Sequence, residues 1–522
     1  MPSNLEDLQI PSEFADYRQR LIVYADKKFR VKVLEARFNV IRNFLIHNFG
    51  ALQKTMTFEI GEKRIKVYYL ADENKSVDQA IQSLRQEFKN FNKDFTYEPD
   101  ARMGSTALNV NDPSAPQQWA LERIEAQAAW DRVAQVPPPP HLPATLAIVD
   151  SGIMGNHEDL AVAVNPPPVV ALPIQSVCFI SPANGTDADD TGHGTMVAGI
   201  IGAVRDNATG VAGEGRFINI PMPDQRNMTI LALKITDDMT PPSALAAATA
   251  IQYAIGMGAR IINVAWHVLA TSNLLRLAIE TAAQAPQGCL VVIAAGNYGS
   301  DNTMIPTLPA SWGVPDTIAV MASDRNDYKS WFSNYGGNVD LAAPGERVYT
   351  TGIYYVNPRY QEFSGTSAAV AHVSAAAALL LSIDDWTPAE IRVHLNESAD
   401  QPPVLWGTCI SNGRLNLRRA VCGPFQIVAP AGGQPLQGGV PFNVQWTLEY
   451  NSTIVQNAEI SFRNAGNGAI LAGAVFGPFA ANAGQPGQAV DVPVQPPGTQ
   501  AFIRIRSLEK NLYTDSDVFQ II

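Results

Sequence analysis

The sequence predicts an α/β protein, a parallel-sheet domain preceded by a small α+β module and followed by a β-sandwich. Three observations carry that expectation. Between residues 145 and 420, apolar runs such as TLAIVD, ILALKI, RIINVAW, CLVVIAAGN and TIAVMAS alternate with small-residue loops and helical stretches, the pattern of a parallel sheet covered on both faces. The first hundred residues have a different composition, with many Lys, Arg, Glu and Phe and hardly any Gly. After Cys422 the helical patterning stops, and short strand-like runs separated by Gly, Pro and Asn turns take over.

In chain order, 20–25 (RLIVYA) reads as a strand and 31–49 has helical apolar spacing through Leu34, Phe38, Ile41 and Leu45. Strands at 54–60 and 64–70 meet across a Gly-Glu-Lys turn, Ser76 caps a helix reaching about 91, and a short strand closes at 95–98. The order β-α-β-β-α-β is the split-βαβ, ferredoxin-like arrangement. Residues 101–116 are polar and aperiodic, as in an exposed connector. A helix over 126–136 then runs into the proline spacer 137–140. Domain boundaries follow at 1–104, 105–422 and 423–522. The last segment, with FQIVAP, FNVQWTL, AEISFRN, AVDVPV, AFIRIRS and DVFQII, holds no constellation that looks catalytic.

Composition narrows the function. Of 522 residues, 46% are hydrophobic and 16% charged, which suits a globular chain. A net charge of -12 argues against nucleic acid or an anionic membrane surface as the main partner. No stretch is apolar for the roughly 18 residues of a membrane span. The start MPSNLEDLQIPSEF lacks the basic and apolar regions of a signal peptide, so export would use a segment outside this chain, or the protein stays inside. Four cysteines (178, 289, 409, 422) show no CxxC spacing, and two bridges, one or none are all open.

The chemistry gathers at strand ends and helix starts, where ligands of such sheets bind. At 363–381, FSGTSAAVAHVSAAAALLL, a Gly-Thr-Ser turn enters an alanine-rich helix and puts Ser367 in its first turn, as a cap or as a nucleophile. Asp150 ends the run TLAIVD, either as a turn former or as a functional acid. His193 lies between two glycines as a helix opens, in TGHGTMVAGIIGA, where it is a structural polar residue or a base. Asn297 follows a strand and three small residues, and its amide either makes a turn or donates to an oxyanion. Taken together, acid, base, amide donor and nucleophile favour acyl transfer.

With DSG, HGTxVAG, AAGN and SGTSxA in that order, the region from about 112 to 420 resembles the subtilisin-like serine proteases, the subtilase family. The resemblance implies a serine endopeptidase acting on polypeptides, with Ser367 as nucleophile, His193 as base, Asp150 orienting the imidazole, and Asn297 with the Ser367 N–H holding the oxyanion. It also implies substrate binding by Ala265, Trp266, His267, Ala295 and Gly296, with no cofactor for catalysis. The first hundred residues are similar to the inhibitory propeptide of secreted subtilases. That implies a self-inhibited zymogen cut within 101–110 by Ser367 itself, and a secreted or cell-surface enzyme.

The sequence departs from the family at Met196 (usually His), at Ala371 (usually Pro) and in VAWHVL, where Ser-x-Gly is typical. Trp266 and His267 are therefore expected to re-line the cleft or to point away from it. The family also implies a structural calcium ion, with Asp159 and Asp206 or Asn207 as candidate ligands. The rival readings are a catalytically silent subtilase fold that binds peptides or anchors at a surface, and an esterase or transpeptidase using the same acyl-enzyme.

Overall fold

The computed structural model describes residues 20–26, 51–60, 63–70 and 95–99, and 108–522 apart from 136–144, 161–174, 181–187, 216–228, 239, 354–358, 431–433, 482–487 and 497. It divides into two compact units, Met1–Ser105 and Thr106–Ile522.

In the first unit, strands β1 (Arg20–Asp26), β2 (Ala51–Ile60), β3 (Lys63–Leu70) and β4 (Phe95–Pro99) form an antiparallel sheet of order β2-β3-β1-β4. The two helices expected at 31–49 and 76–91 lie outside the described residues.

The second unit is built on a seven-stranded parallel sheet. After helix α1 (Ala126–Ala134) come β5 (Thr145–Asp150), β6 (Gln175–Cys178), α2 (His193–Gly202), β7 (Thr229–Lys234), α3 (Ala244–Gly256) and β8 (Ala259–Val264). Next are α4 (Asn273–Ala283), β9 (Leu290–Ala294), β10 (Thr317–Ser323) and β11 (Leu341–Pro344). The sheet order is β11-β10-β9-β8-β5-β7-β6, and the sheet is parallel and covered on both faces, as the continuous apolar runs predict. Alternate strand residues feed two cores. Leu146, Ile148, Ile261 and Val292 join one, and Ala147, Val149, Ile262 and Val291 the other. Helices α3 and α4 cover the second face, and α2 and the central helix α5 (Thr366–Leu381) cover the first. The helix α5 is buried almost all round, which explains its run of alanines: small side chains let it pass close to its neighbours.

A hairpin, β12 (Val348–Thr351) with β13 (Tyr360–Phe363), packs on α2 and leads into α5. Helix α6 (Pro388–Glu397) starts with Pro388 and a capping box between Thr387 and Glu390. Helix α7 (Leu417–Cys422) follows. The strands after it form a three-stranded sheet of 425–429, 441–448 and 488–491, and a five-stranded sheet from 457–464, 470–480, 499–507, 513–515 and 519–521. They belong to the second unit. Arg418 holds Glu449 through two N–H···O bonds of 3.1 and 2.9 Å, and Lys510 reaches Glu390 at 2.9 Å.

All four cysteines are free thiols. Among the described residues, no helix is long and apolar enough to cross a membrane.

Candidate active site

Strand β5 delivers Asp150 to the carboxyl edge of the sheet, 3% exposed. One oxygen, Oδ1, accepts the N–H of Ser151 at 2.8 Å and of the His193 ring Nδ1 at 2.7 Å. Because a carboxylate only accepts, Nδ1 carries the proton and Nε2 keeps its lone pair. The other oxygen, Oδ2, is buried with no hydrogen-bond partner among the described residues. The close approach of α2 to β5 needs Gly194, since a Cβ there would stand 2.1 Å from the Gly152 carbonyl oxygen and 3.2 Å from the Asp150 Cβ.

His193 opens α2 with its side chain 34% exposed. Burial pushes its pKa down. The Asp150 carboxylate, by charge and hydrogen bond, and Asp189 by charge push it up, and the net shift is upward. The ring stands edge-on to Phe363, with centroids 5.4 Å apart, at the end of the strand that leads into Ser367.

Ser367 lies in the first turn of α5, 5% exposed, and its hydroxyl donates to the Ala265 carbonyl oxygen at 2.8 Å. Asn297 is held by its side-chain oxygen, which accepts the Thr366 N–H and the Thr366 hydroxyl, both at 2.9 Å. That arrangement turns the amide nitrogen outward. The absent side chain of Gly365 leaves a space bordered by Asn297 Nδ2 and the Ser367 backbone N, 3.5 and 3.6 Å from where a Cβ would stand. Two N–H donors thus converge next to the serine, the first-turn N–H being one that α5 itself leaves free.

The five residues expected to contact substrate fall into different places. The Ala265 oxygen faces Ser367. Trp266 packs against the second core, and its indole donates to the Val149 carbonyl at 2.7 Å, so the ring braces the strand carrying Asp150. His267 is half-buried, and its Nε2 is hydrogen-bonded to the Tyr298 hydroxyl. Ala295 and Gly296 are buried and their backbone groups are committed internally. The Ala295 oxygen accepts from Asn302 and Asn334, and Gly296 bonds Thr366 and Asn334. They precede Asn297 in the chain with these backbone groups held by the protein itself.

The residues expected as calcium ligands meet one another and neighbouring N–H groups. Asp159 accepts from Asn207 Nδ2 at 2.9 Å and from the Val211 N–H at 2.8 Å, and burial pushes its pKa up to about 7. Asp206 Oδ1 accepts the Asn111 N–H. These oxygens face N–H donors, and among the described residues no three His, Cys, Asp or Glu are grouped to hold a metal ion.

Two residues beside the site were not singled out from the sequence, Asp189 and Lys234. The only signal was the pair of acids just before the His193 motif, in DADDTGHGT. Lys234 ends β7 directly opposite Asp150. It is 2% exposed and donates to the Ala188 oxygen and the Asp190 carboxylate at 2.6 and 2.8 Å.

Comparison with known proteins bears on this geometry. The family model described as "Subtilase family" matches residues 144–423. Thermitase from Thermoactinomyces vulgaris is 35% identical over 312 residues, covering 60% of this chain and 98% of thermitase. The thermophilic serine proteinase of Bacillus sp. (strain AK1) is 36% identical over 277 residues, 53% of this chain and 61% of that protein. A solved protease from Pseudoalteromonas arctica aligns with a TM-score of 0.48 at 25% identity, over 60% of this chain and 99% of that one.

Proposed function

The chain belongs to the subtilase family of serine proteases, and we propose that it cleaves internal peptide bonds through Asp150, His193 and Ser367 by way of an acyl-enzyme. The observation that carries this reading is the 2.7 Å bond from His193 Nδ1 to Asp150, which leaves Nε2 as the basic nitrogen. In the first step the Ser367 hydroxyl leaves the Ala265 oxygen and passes its proton to His193 Nε2 as Oγ attacks the scissile carbonyl. The carbonyl oxygen, now negative, takes hydrogen bonds from Asn297 Nδ2 and the Ser367 N–H. His193 returns the proton to the leaving amine, the C–N bond breaks, and an ester to Ser367 remains. Water, deprotonated by His193, then hydrolyses the ester and restores the hydroxyl.

Residues 1–104 are read as an inhibitory propeptide, cut within 101–110 by Ser367, which makes the uncut chain the zymogen of a secreted or cell-surface enzyme. The compact first unit with its four-stranded antiparallel sheet supports this. The strands after Cys422 are read as an accessory β-sandwich.

One experiment tests both parts. Purified protein is treated with a fluorophosphonate and digested by another protease, and the adduct is mapped. Label on Ser367 is expected, with the chain shortened near 101–110. Ser367→Ala is expected to take no label and to stay full length. Labelling elsewhere or nowhere overturns the triad, and maturation of isolated Ser367→Ala overturns self-processing.

A further inference from the structure

Asp189 is completely buried, and its carboxylate accepts from six donors: one just past β5, three in its own turn leading into α2, and two in the first turn of α2. Oδ1 takes the Ser151 hydroxyl at 2.8 Å, the Gly192 N–H at 2.9 Å, the Thr191 N–H at 3.1 Å and the Thr191 hydroxyl at 3.3 Å. Oδ2 takes the Thr195 N–H at 2.9 Å and the Thr195 hydroxyl at 2.6 Å. Ser151 closes the circuit by accepting the Gly194 N–H at 2.9 Å. A helix cap would need only one of these bonds. Here Oδ1 holds Ser151 at the exit of β5 while Oδ2 holds Thr195 in the first turn of α2, so one side chain ties together the segments of Asp150 and His193 beside their direct bond. Lys234 fastens the same segment from the other side, through Ala188 and Asp190.

We infer that Asp189 is a positioning residue: it clamps the acid and the base in register and contributes a fixed negative charge beside the imidazole. This rests on the proposed role of His193. Among the described residues, the charge that acts on His193 besides Asp189 is Asp150 on β5, while Lys234 on β7 and Asp190 pair with each other at 2.8 Å. The Glu214–His372 pair lies toward the far end of α2, where the Glu214 N–H bonds the Ile200 oxygen. The hairpin strand β12 meets α2 with the hydroxyls of Thr350 and Thr351, which carry no charge. An imidazolium forming in the reaction therefore sees two buried carboxylates, one bonded to it directly and one acting through the clamp.

The test uses Asp189→Asn and Ser151→Ala in the full-length chain. The readouts are kcat and KM on a peptide ester, normalised to fluorophosphonate-titrated sites, and the NMR titration of the His193 Cε1–H. Asp189→Asn is expected to lower kcat about 10- to 100-fold with KM little changed, and to move the His193 midpoint to lower pH. Ser151→Ala is expected to lower kcat in the same way by a smaller factor. A merely structural role would reduce the number of titrated sites and leave the remaining sites with wild-type kcat and an unmoved midpoint. That result overturns the inference. If Asp189→Asn does not fold, Ser151→Ala decides, and wild-type kcat in that variant is the overturning result. If the wild-type protein takes no label at Ser367, the proposed function fails, but the comparison of His193 midpoints still tests Asp189.

Discussion

The Ser367 hydroxyl donates to the Ala265 carbonyl oxygen at 2.8 Å, so in this state its proton rests at the end of β8. Catalysis begins by moving that proton to a ring whose other nitrogen is already tied to Asp150. The ring must be neutral to accept it.

Activity should therefore rise with pH as His193 loses its proton, with the midpoint of kcat/KM above the ordinary imidazole value of 6.5 because Asp150 and Asp189 outweigh burial. Stability follows the opposite sign. A folded-state pKa raised above the unfolded one stabilises fully below about 6.5, and that contribution is lost as pH rises through the folded value. A pH–rate profile whose midpoint lies below 6.5 would contradict the arrangement. Asp150→Asn should lower kcat by ~10⁴.

Asn297→Ala should lower kcat by about 10²–10³ with little change in KM, a scale established in subtilisin itself. The reason is geometric: the oxygen of Asn297 is held by Thr366, so its amide is aimed before substrate arrives. Steady-state kinetics on a chromogenic peptide checks this, and a change confined to KM would remove Asn297 from the oxyanion site.

His267 and Tyr298 join the ends of two adjacent strands, one two residues past Ala265 and the other next to Asn297. We read their bridge as one wall of the proposed substrate cleft. His267→Gly with Tyr298→Phe should raise kcat/KM for esters of large aromatic acyl residues about 10-fold or more relative to alanyl esters. An unchanged ratio across such a series would show that the bridge does not set specificity.

Glu214 and His372, both fully buried, share a 2.5 Å hydrogen bond behind α5, and the outer atom of each has no partner among the described residues. Burial raises the Glu214 carboxyl well above its ordinary 4.5 and lowers His372 to about 3. The Glu214 contribution is fully present below pH 4.5 and is lost as pH rises through its folded value. The His372 contribution is present above 6.5 and is lost as pH falls toward 3. Glu214→Gln keeps a donor to His372 and removes the carboxyl titration, so the variant should gain stability relative to wild type as pH rises above 4.5. Urea unfolding across that range measures it, and parallel stability curves would refute it.

Local chemistry in the sequence determined the parallel sheet, the alanine-rich helix and the four motif residues, because strand runs, glycine-flanked turns and a Ser in a first helical turn are written in consecutive residues. It could not place Trp266 and His267, neighbours in the chain. Successive residues leave the strand end in opposite directions, and only packing sent the indole to the Val149 carbonyl and the imidazole to Tyr298. Nor could it reveal Asp189 or Lys234. Each is an ordinary charged residue until folding buries it, and a buried charge then has to collect partners from distant segments. Those long-range bonds, which tertiary structure alone supplies, fix the distance between acid and base.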